Sequence, residues 1–160
     1  MFGRRTMQLP SCYLFQKLSA PQMDSLAAIT FEEKYQKGEW LFHKDQEADK
    51  LYLVIKGAVE LLIKVQDTIE IPVALMRPDN GCVGISALVD PFRYTLSARC
   101  SADSTLLVIK REDLQALMCK DHELGCFMMN NLAQKLLARL TENREELKIH
   151  FLNLVRAASF

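Results

Sequence analysis

The sequence predicts a mainly β fold with flanking helices, in which antiparallel strands form a sandwich or barrel and a long helix follows them. Two observations predict this fold class. Between Ile29 and Ile109, short apolar segments alternate with turn-forming residues every several positions, a spacing typical of antiparallel sandwiches and barrels. After Ile109, apolar residues recur at helical spacing almost to the end of the chain.

Length and charge describe an ordinary globular domain. The 160 residues are enough to bury a core, and 20 basic residues balance 20 acidic ones. Balanced charge argues against a nucleic-acid-binding protein, which needs an excess of Lys and Arg. Neither a secretory signal nor an apolar run of the ~20 residues that span a bilayer occurs. We therefore expect a cytoplasmic protein with no membrane segment and no direct nucleic acid contact.

Two regions are expected: residues 1–120 as the barrel with its N-terminal helix, and residues 121–160 as the long helix. The N-terminal helix is predicted from Leu14 to Ala28, with Ser19 as a suitable N-cap and Pro21 in its first turn. The predicted strands are Phe31–Tyr35, Trp40–His43, Leu51–Ile55, Ala58–Val65, Ile69–Met76, Tyr94–Cys100 and Thr105–Ile109. Because Leu51–Ile55 is apolar on both faces, it is expected at the centre of a sheet.

The C-terminal part is predicted as a short helix, Glu112–Cys119, and a long one capped by Asp121 and running to about Val155. The first half of the long helix is expected to pack on the barrel, whereas the part past Thr141 is too far away to be covered. The alternative is that the whole apolar stripe packs on the barrel. We favour a two-helix homodimer seam, with Ala133, Leu140, Leu147 and Leu154 at one heptad position and Leu136, Asn143 and His150 at the other.

The segment Gly81–Cys100 is the candidate binding site. It contains a glycine pair, a short apolar segment (Ile85–Leu88) and a turn before a predicted strand. A helix that opens after glycines points unsatisfied N–H groups outward, which attracts an anion. Arg93, Thr95 and Ser86 are close enough in sequence to add a charge and two hydroxyls to that place.

The remaining chemistry-bearing residues show no site pattern. The five cysteines are odd in number and lack CxxC spacing, which indicates reduced, mostly buried thiols and not an iron–sulfur cluster. The three histidines are isolated, so no metal site is predicted. No nucleophile–base pattern or Walker motif is present, so we predict no catalytic residues and no resident cofactor.

The element order and three motifs resemble the cyclic nucleotide-binding domain of the catabolite-activator-like (Crp/Fnr) bacterial transcription regulators. Lys37–Phe42 (KGEWLF) resembles the family's glycine turn and strand opening. Leu51–Val59 (LYLVIKGAV) is similar to its LYLVLSGxV element and is the most specific match. Gly81–Cys100 occupies the place of its phosphate-binding cassette, in the subgroup whose cassette reads GWSAL. The resemblance extends from Leu14 to about Phe151 and implies an antiparallel double-stranded β-helix (a jelly-roll barrel) with a C-terminal dimerisation helix.

The resemblance also implies binding positions, and two of them depart from the family pattern. Where the family has a Glu that binds the ribose 2′-OH, this chain has Ile85, and the position of the phosphate-binding Arg falls on Tyr94, one residue after Arg93. A buried phosphate needs a compensating charge or a full set of donors, so cyclic AMP or GMP in the usual pose is disfavoured. The candidate ligand-binding residues are Gly84, Ile85, Ser86, Ala87, Arg93, Tyr94, Thr95 and Arg139, the last on the long helix where the family contacts the base.

Two functional hypotheses follow. In the first, the chain is a non-enzymatic regulatory sensor that binds a cyclic nucleotide or another small anion and signals through the dimer helix. In the second, it is a degenerate domain that binds no small ligand and acts as a dimerisation or protein-interaction module. In either case we expect no DNA-binding domain within these 160 residues, because the helix-turn-helix of DNA-binding family members follows the long helix.

Overall fold

The computed structural model describes residues 7–79 and 81–159 and shows two antiparallel four-stranded sheets flanked by helices. The strands are β1 (Thr30–Tyr35), β2 (Trp40–Phe42), β3 (Lys50–Lys56), β4 (Val59–Gln66), β5 (Ile69–Met76), β6 (Cys82–Val83), β7 (Ser97–Cys100) and β8 (Ser104–Lys110). The helices are α1 (Ala20–Ala28), α2 (Arg111–Lys120) and α3 (His122–Ala158), with 3-10 helices at Tyr13–Phe15 and Ile85–Leu88. The sheet orders are β1-β8-β3-β6 and β2-β7-β4-β5. The predicted mainly β jelly-roll class is confirmed.

Strand β3 buries both of its faces, because one faces the barrel interior and the other faces the helices. Tyr52 and Val54 belong to the core between the two sheets. Leu51 and Leu53 belong to a second core, which the helices complete. Since β3 lies between β8 and β6, the prediction that this strand is central is confirmed.

The N-terminal helix is shorter than predicted. It begins at Ala20 rather than Leu14, because Lys17 adopts a left-handed backbone conformation (φ 68°) that interrupts helical geometry. Ser19 is the N-cap, as predicted: its hydroxyl accepts from the Gln22 N–H, and its own N–H donates to Gln22 Oε1 at 2.9 Å. This reciprocal pair is a capping box, which fixes where the helix starts.

The strand predicted from Tyr94 to Cys100 begins only at Ser97. The residues before it pair with a different part of the chain. The Tyr94 N–H donates to the Gln46 carbonyl at 3.0 Å, and the Ala48 N–H donates to the Phe92 carbonyl at 2.7 Å. These bonds hold the end of the candidate site against the loop that follows β2.

Helix α3 is covered by the barrel in its first half only. Asp121 caps it by accepting from the Leu124 N–H at 3.0 Å, as predicted. Leu124, Met128 and Leu132 are fully buried in the helix-facing core. The apolar residues further on are 43–65% exposed: Leu136, Leu137, Leu140, Leu147, Ile149, Phe151, Leu152, Leu154 and Val155. Within the described residues, no helix combines the length and apolarity needed to cross a membrane.

Candidate functional site

The predicted short helix after the glycines is present as the 3-10 helix Ile85–Leu88, and Gly84 sets its geometry. Gly84 has a φ of 85°, and a Cβ at this position would lie 2.8 Å from the Lys50 carbonyl oxygen. Its own carbonyl accepts from the Ala87 N–H at 3.0 Å. Ser86 is half-buried, and Ala87 is buried in the core between the sheets. The short helix therefore lies where it was predicted, and Ala87 is buried in the core.

Tyr94 connects this segment to Phe42 and to the Lys50 backbone. Its ring stacks on Phe42 with centroids 3.6 Å apart. Its hydroxyl donates to the Lys50 carbonyl at 2.8 Å and accepts from the Lys50 N–H at 3.2 Å. The side chain is 2% exposed, and burial raises the pKa of the Tyr94 phenol to about 12. The hydroxyl thus joins the segment to the start of β3.

Arg93 points away from the short helix. Its guanidinium Nη1 donates to the Asp45 carbonyl at 3.1 Å, and its backbone pairs with Glu47 in an isolated antiparallel bridge. The side chain is exposed and lies outside the walls of the cavities next to the short helix. Arg93 therefore sits apart from the other predicted binding residues.

Six of the predicted residues line one small cavity of about 80 Å³: Gly84, Ile85, Ser86, Tyr94, Thr95 and Arg139. Thr95 is otherwise exposed, whereas Arg139 reaches the cavity from α3. The volume has room for a few water molecules and not for a nucleotide. The predicted binding residues are thus brought together, apart from Arg93 and the buried Ala87.

A larger cavity of about 600 Å³ adjoins the small one, between the barrel, residues 10–16 and α3. The two cavities share Leu61, Cys82, Leu96 and Arg139. The larger volume falls within the roughly 300–1,000 Å³ typical of small-ligand sites. Its wall is mixed, because strands β3 to β5 supply apolar side chains while α3 supplies the charged Lys135, Arg139 and Glu142.

The N-terminal residues that close this cavity are held by α3. The Asn131 amide donates to the Leu14 carbonyl at 3.0 Å and to the Gln16 carbonyl at 2.8 Å. The Lys135 ammonium lies 5.5 Å from the centroid of the Tyr13 ring. The Tyr13 hydroxyl is buried and finds no hydrogen-bond partner within residues 7–79 and 81–159. An unpartnered hydroxyl at a cavity wall is a group that a polar ligand or a water can satisfy.

Sequence reasoning missed part of this site. Cys12, Tyr13 and Cys82 line the larger cavity, but nothing in the sequence links the N-terminal residues with β6. Lys135 had a detectable signal, because it precedes Arg139 by four positions and so lies on the same helix face. The expectation of mostly buried cysteines is only partly right: Cys82 and Cys100 are buried, Cys12 is half-buried, and Cys119 and Cys126 are exposed. No group of three or more potential metal ligands occurs in the described part of the chain.

The family assignment rests on sequence as well as structure. The family described as the cyclic nucleotide-binding domain matches residues 32–121, which is more than half of the chain. The chain therefore belongs to the cyclic nucleotide-binding domain family.

The neighbours include bacterial regulators. The catabolite activator protein of Thermus thermophilus superposes with a TM-score of 0.72 at 29% identity, covering 86% of this chain and 62% of that one. The N-terminal domain of a transcriptional regulator from Streptomyces coelicolor A3(2) gives a TM-score of 0.69 at 28% identity, covering 83% and 91%. The anaerobic regulatory protein of Bacillus subtilis is 24% identical over 98 residues, 61% of this chain and 41% of that protein. The chain spans less than half the length of the curated relatives it matches.

Proposed function

We propose that this chain is a non-enzymatic sensor domain of a Crp/Fnr-like regulator, which binds a small anionic ligand or nucleotide between the barrel and α3. Arg139 carries the proposal. It belongs to α3, yet it lines both the large cavity and the small cavity beside the short helix. A ligand held there would contact the barrel and the helix at the same time.

The charge of Arg139 is available to such a ligand. Within the described residues, no carboxylate forms an ion pair with its guanidinium. Lys135 lies one turn earlier on the same wall, so two cations face the cavity from α3. Glu142 and Asp79 also line it and favour a ligand that carries donors as well as negative charge. A nucleotide or a hydroxylated organic acid has this combination.

Signalling would follow from the two-sided contact. A ligand that binds better when α3 is close to the barrel shifts the population toward that arrangement, by an amount equal to its difference in affinity for the two. The shift would reach a second subunit through the distal part of α3, where the apolar residues are exposed. The β4–β5 hairpin adds six apolar side chains that are 42–55% exposed: Ile63, Val65, Ile69, Ile71, Val73 and Leu75. Exposed apolar surface on this scale is typical of an interface, which supports a homodimer.

The usual cyclic nucleotide pose has little support from the binding residues. Ile85 offers no hydrogen bond to a ribose, and the Arg93 guanidinium is bound to the Asp45 carbonyl. Thr95 and Ser86 are the polar side chains that the short helix and its flanks bring to the small cavity. The proposal therefore favours an anion placed nearer to α3 than to the cassette.

The proposed sensor would act in the cytoplasm, where the exposed Cys119 and Cys126 stay reduced.

The test is a thermal-shift and calorimetric screen with cyclic AMP, cyclic GMP, other nucleotides and small organic acids. A compound at ~100 times its dissociation constant adds about 2.7 kcal/mol to stability. With any compound that binds, Arg139→Ala should weaken affinity by about 10- to 100-fold, because a charge-assisted hydrogen bond contributes about 1.5–3 kcal/mol. Arg156→Ala, which removes an exposed arginine further along α3, is the matched control and should leave affinity unchanged. Equal effects of the two variants would refute the assignment of Arg139.

A second candidate is the ligand-free dimerisation module. Its supporting observation is that Arg93 is already bonded within the chain while the distal half of α3 is left exposed. The same screen separates the two candidates. If no compound raises the melting temperature while sedimentation shows a dimer, the module is favoured.

A further inference from the structure

The larger cavity contains two thiols that are distant in sequence but adjacent in space. Cys12 precedes the 3-10 helix Tyr13–Phe15, and Cys82 begins β6. Both line the cavity, and Cys12 packs against the helix-facing core that includes Cys82. Cys82 is 5% exposed and Cys12 is half-buried. Cys12 is therefore the more accessible of the two cysteines that line the cavity.

The two thiols are chemically unequal. A hydrogen bond from the Cys82 thiol lowers the pKa of Cys12. That same bond, together with burial, raises the pKa of Cys82 well above its ordinary value. Cys12 is thus the more acidic thiol of the pair, and Cys82 the less acidic one. The thiolate is the form of cysteine that reacts with oxidants.

We propose that Cys12 and Cys82 form a peroxide-sensitive dithiol, in which the half-buried Cys12 is the reacting thiol and the buried Cys82 is the resolving thiol. The Cys12 sulfur attacks one oxygen of hydrogen peroxide, the O–O bond breaks, and the departing hydroxide takes up a proton to give water. Cys12 is then a sulfenic acid. The Cys82 sulfur attacks the Cys12 sulfur, the S–O bond breaks, and the departing hydroxide takes the Cys82 proton as a second water. Two electrons pass from the thiols to the peroxide, and a disulfide remains.

The position of the pair gives the disulfide a consequence for the site. Cys82 stands two residues before Gly84, and β6 is hydrogen-bonded to β3 through Leu53 and Tyr52. Cys12 belongs to the N-terminal residues that the Asn131 amide fastens to α3. The disulfide would therefore join the N-terminal wall of the cavity covalently to the strand that leads into the short helix. Its formation needs no ligand, so this proposal and the proposed sensor function fail separately.

The experiment uses the full chain, reduced and then exposed to a series of hydrogen peroxide concentrations. Remaining thiols are alkylated, and the protein is digested and analysed by mass spectrometry without reduction. We expect a linked peptide pair containing Cys12 and Cys82 that disappears on treatment with dithiothreitol. Free thiols should fall from five to three at the lowest effective dose, with the protein still a single chain on a non-reducing denaturing gel.

The control is the double variant Cys119→Ser and Cys126→Ser, which removes the two exposed cysteines and should keep the linked peptide. Cys12→Ser should leave Cys82 reduced at the same dose, and circular dichroism establishes that the variant is folded. The wild-type peptide map needs no variant, so a folding defect does not hide the result. Oxidation of Cys119 or Cys126 ahead of Cys12, or a Cys12 that stops at sulfinic acid without joining Cys82, would overturn the proposal.

Discussion

Asn131 is the side chain whose removal should loosen the cavity most selectively. It is 4% exposed, and its amide donates to two main-chain carbonyls of the N-terminal residues, those of Leu14 and Gln16. Asn131→Ala removes two hydrogen bonds of about 1 kcal/mol each and leaves two carbonyls to find other partners. Alanine regains about 0.5 kcal/mol of helix propensity. The net loss should be about 2–3 kcal/mol in the free energy of unfolding.

The matched control is Asn130→Ala, the neighbouring residue on the same helix, whose side chain is exposed. Both variants gain the same helix propensity, so the difference between them isolates the buried contacts. Urea unfolding should place Asn131→Ala about 2.5–3.5 kcal/mol below Asn130→Ala, because Asn130→Ala keeps the propensity gain without losing the bonds. Alkylation of Cys12 should also accelerate in Asn131→Ala, because the residues around it are less firmly held. A difference within about 0.5 kcal/mol, the size of an ordinary surface effect, would refute the role of Asn131 in holding the N-terminal residues against α3.

Three further predictions concern the cassette. Tyr94→Phe removes both hydrogen bonds to the Lys50 backbone, so it should cost about 1–3 kcal/mol in urea unfolding. Burial raises the pKa of Tyr94 from 10.0 to about 12, so its neutral form stabilises the fold below pH 10. That contribution to stability is lost as the pH rises toward 12. The wild type should therefore lose more stability than Tyr94→Phe between pH 10 and pH 12. Gly84→Ala meets a positive φ and the nearby Lys50 oxygen, and should cost at least about 1 kcal/mol in the same assay. Arg93→Ala, which removes a bond to the Asp45 carbonyl, should change stability by less than about 1 kcal/mol and leave any ligand affinity measured by calorimetry unaltered.

The positions of most strands along the chain, and the central place of β3, were predictable because burial leaves a direct mark on the sequence. β3 is apolar at successive positions, and its alternate side chains enter two different cores, which only a central strand allows. Asp121 and Ser19 were predictable as caps for a similar reason, since the N-cap chemistry depends on the residue itself and on neighbours within one turn. Local chemistry and burial pattern thus determine the elements and most of their limits.

The cavity was not predictable in the same way, because its walls come from parts of the chain that are far apart in sequence. Cys12 and Cys82 meet only after the N-terminal residues fold back along α3. The sequence predicts one helix from Leu14 to Ala28, whereas Leu14 and Phe15 belong to a separate 3-10 helix. Lys17, which interrupts the longer helix, carries no sequence sign of a left-handed conformation. Sequence spacing therefore located the short helix after the glycines but not the larger space beside it.

Arg93 and Arg139 differ in where the fold places their side chains, and this difference is the reason that the proposed site relies on Arg139. Tyr94 is fixed in the core by its stack on Phe42 and its bonds to Lys50. The side chain of the preceding residue must then leave on the opposite side, since neighbouring residues in extended backbone point to opposite faces. Arg93 accordingly reaches the Asp45 carbonyl at the exterior. The guanidinium that does face the cavities belongs to Arg139 on α3. An anion bound as we propose would therefore be held by α3, whose distal part carries the exposed apolar residues, so that recognition and the proposed subunit contact would share one helix.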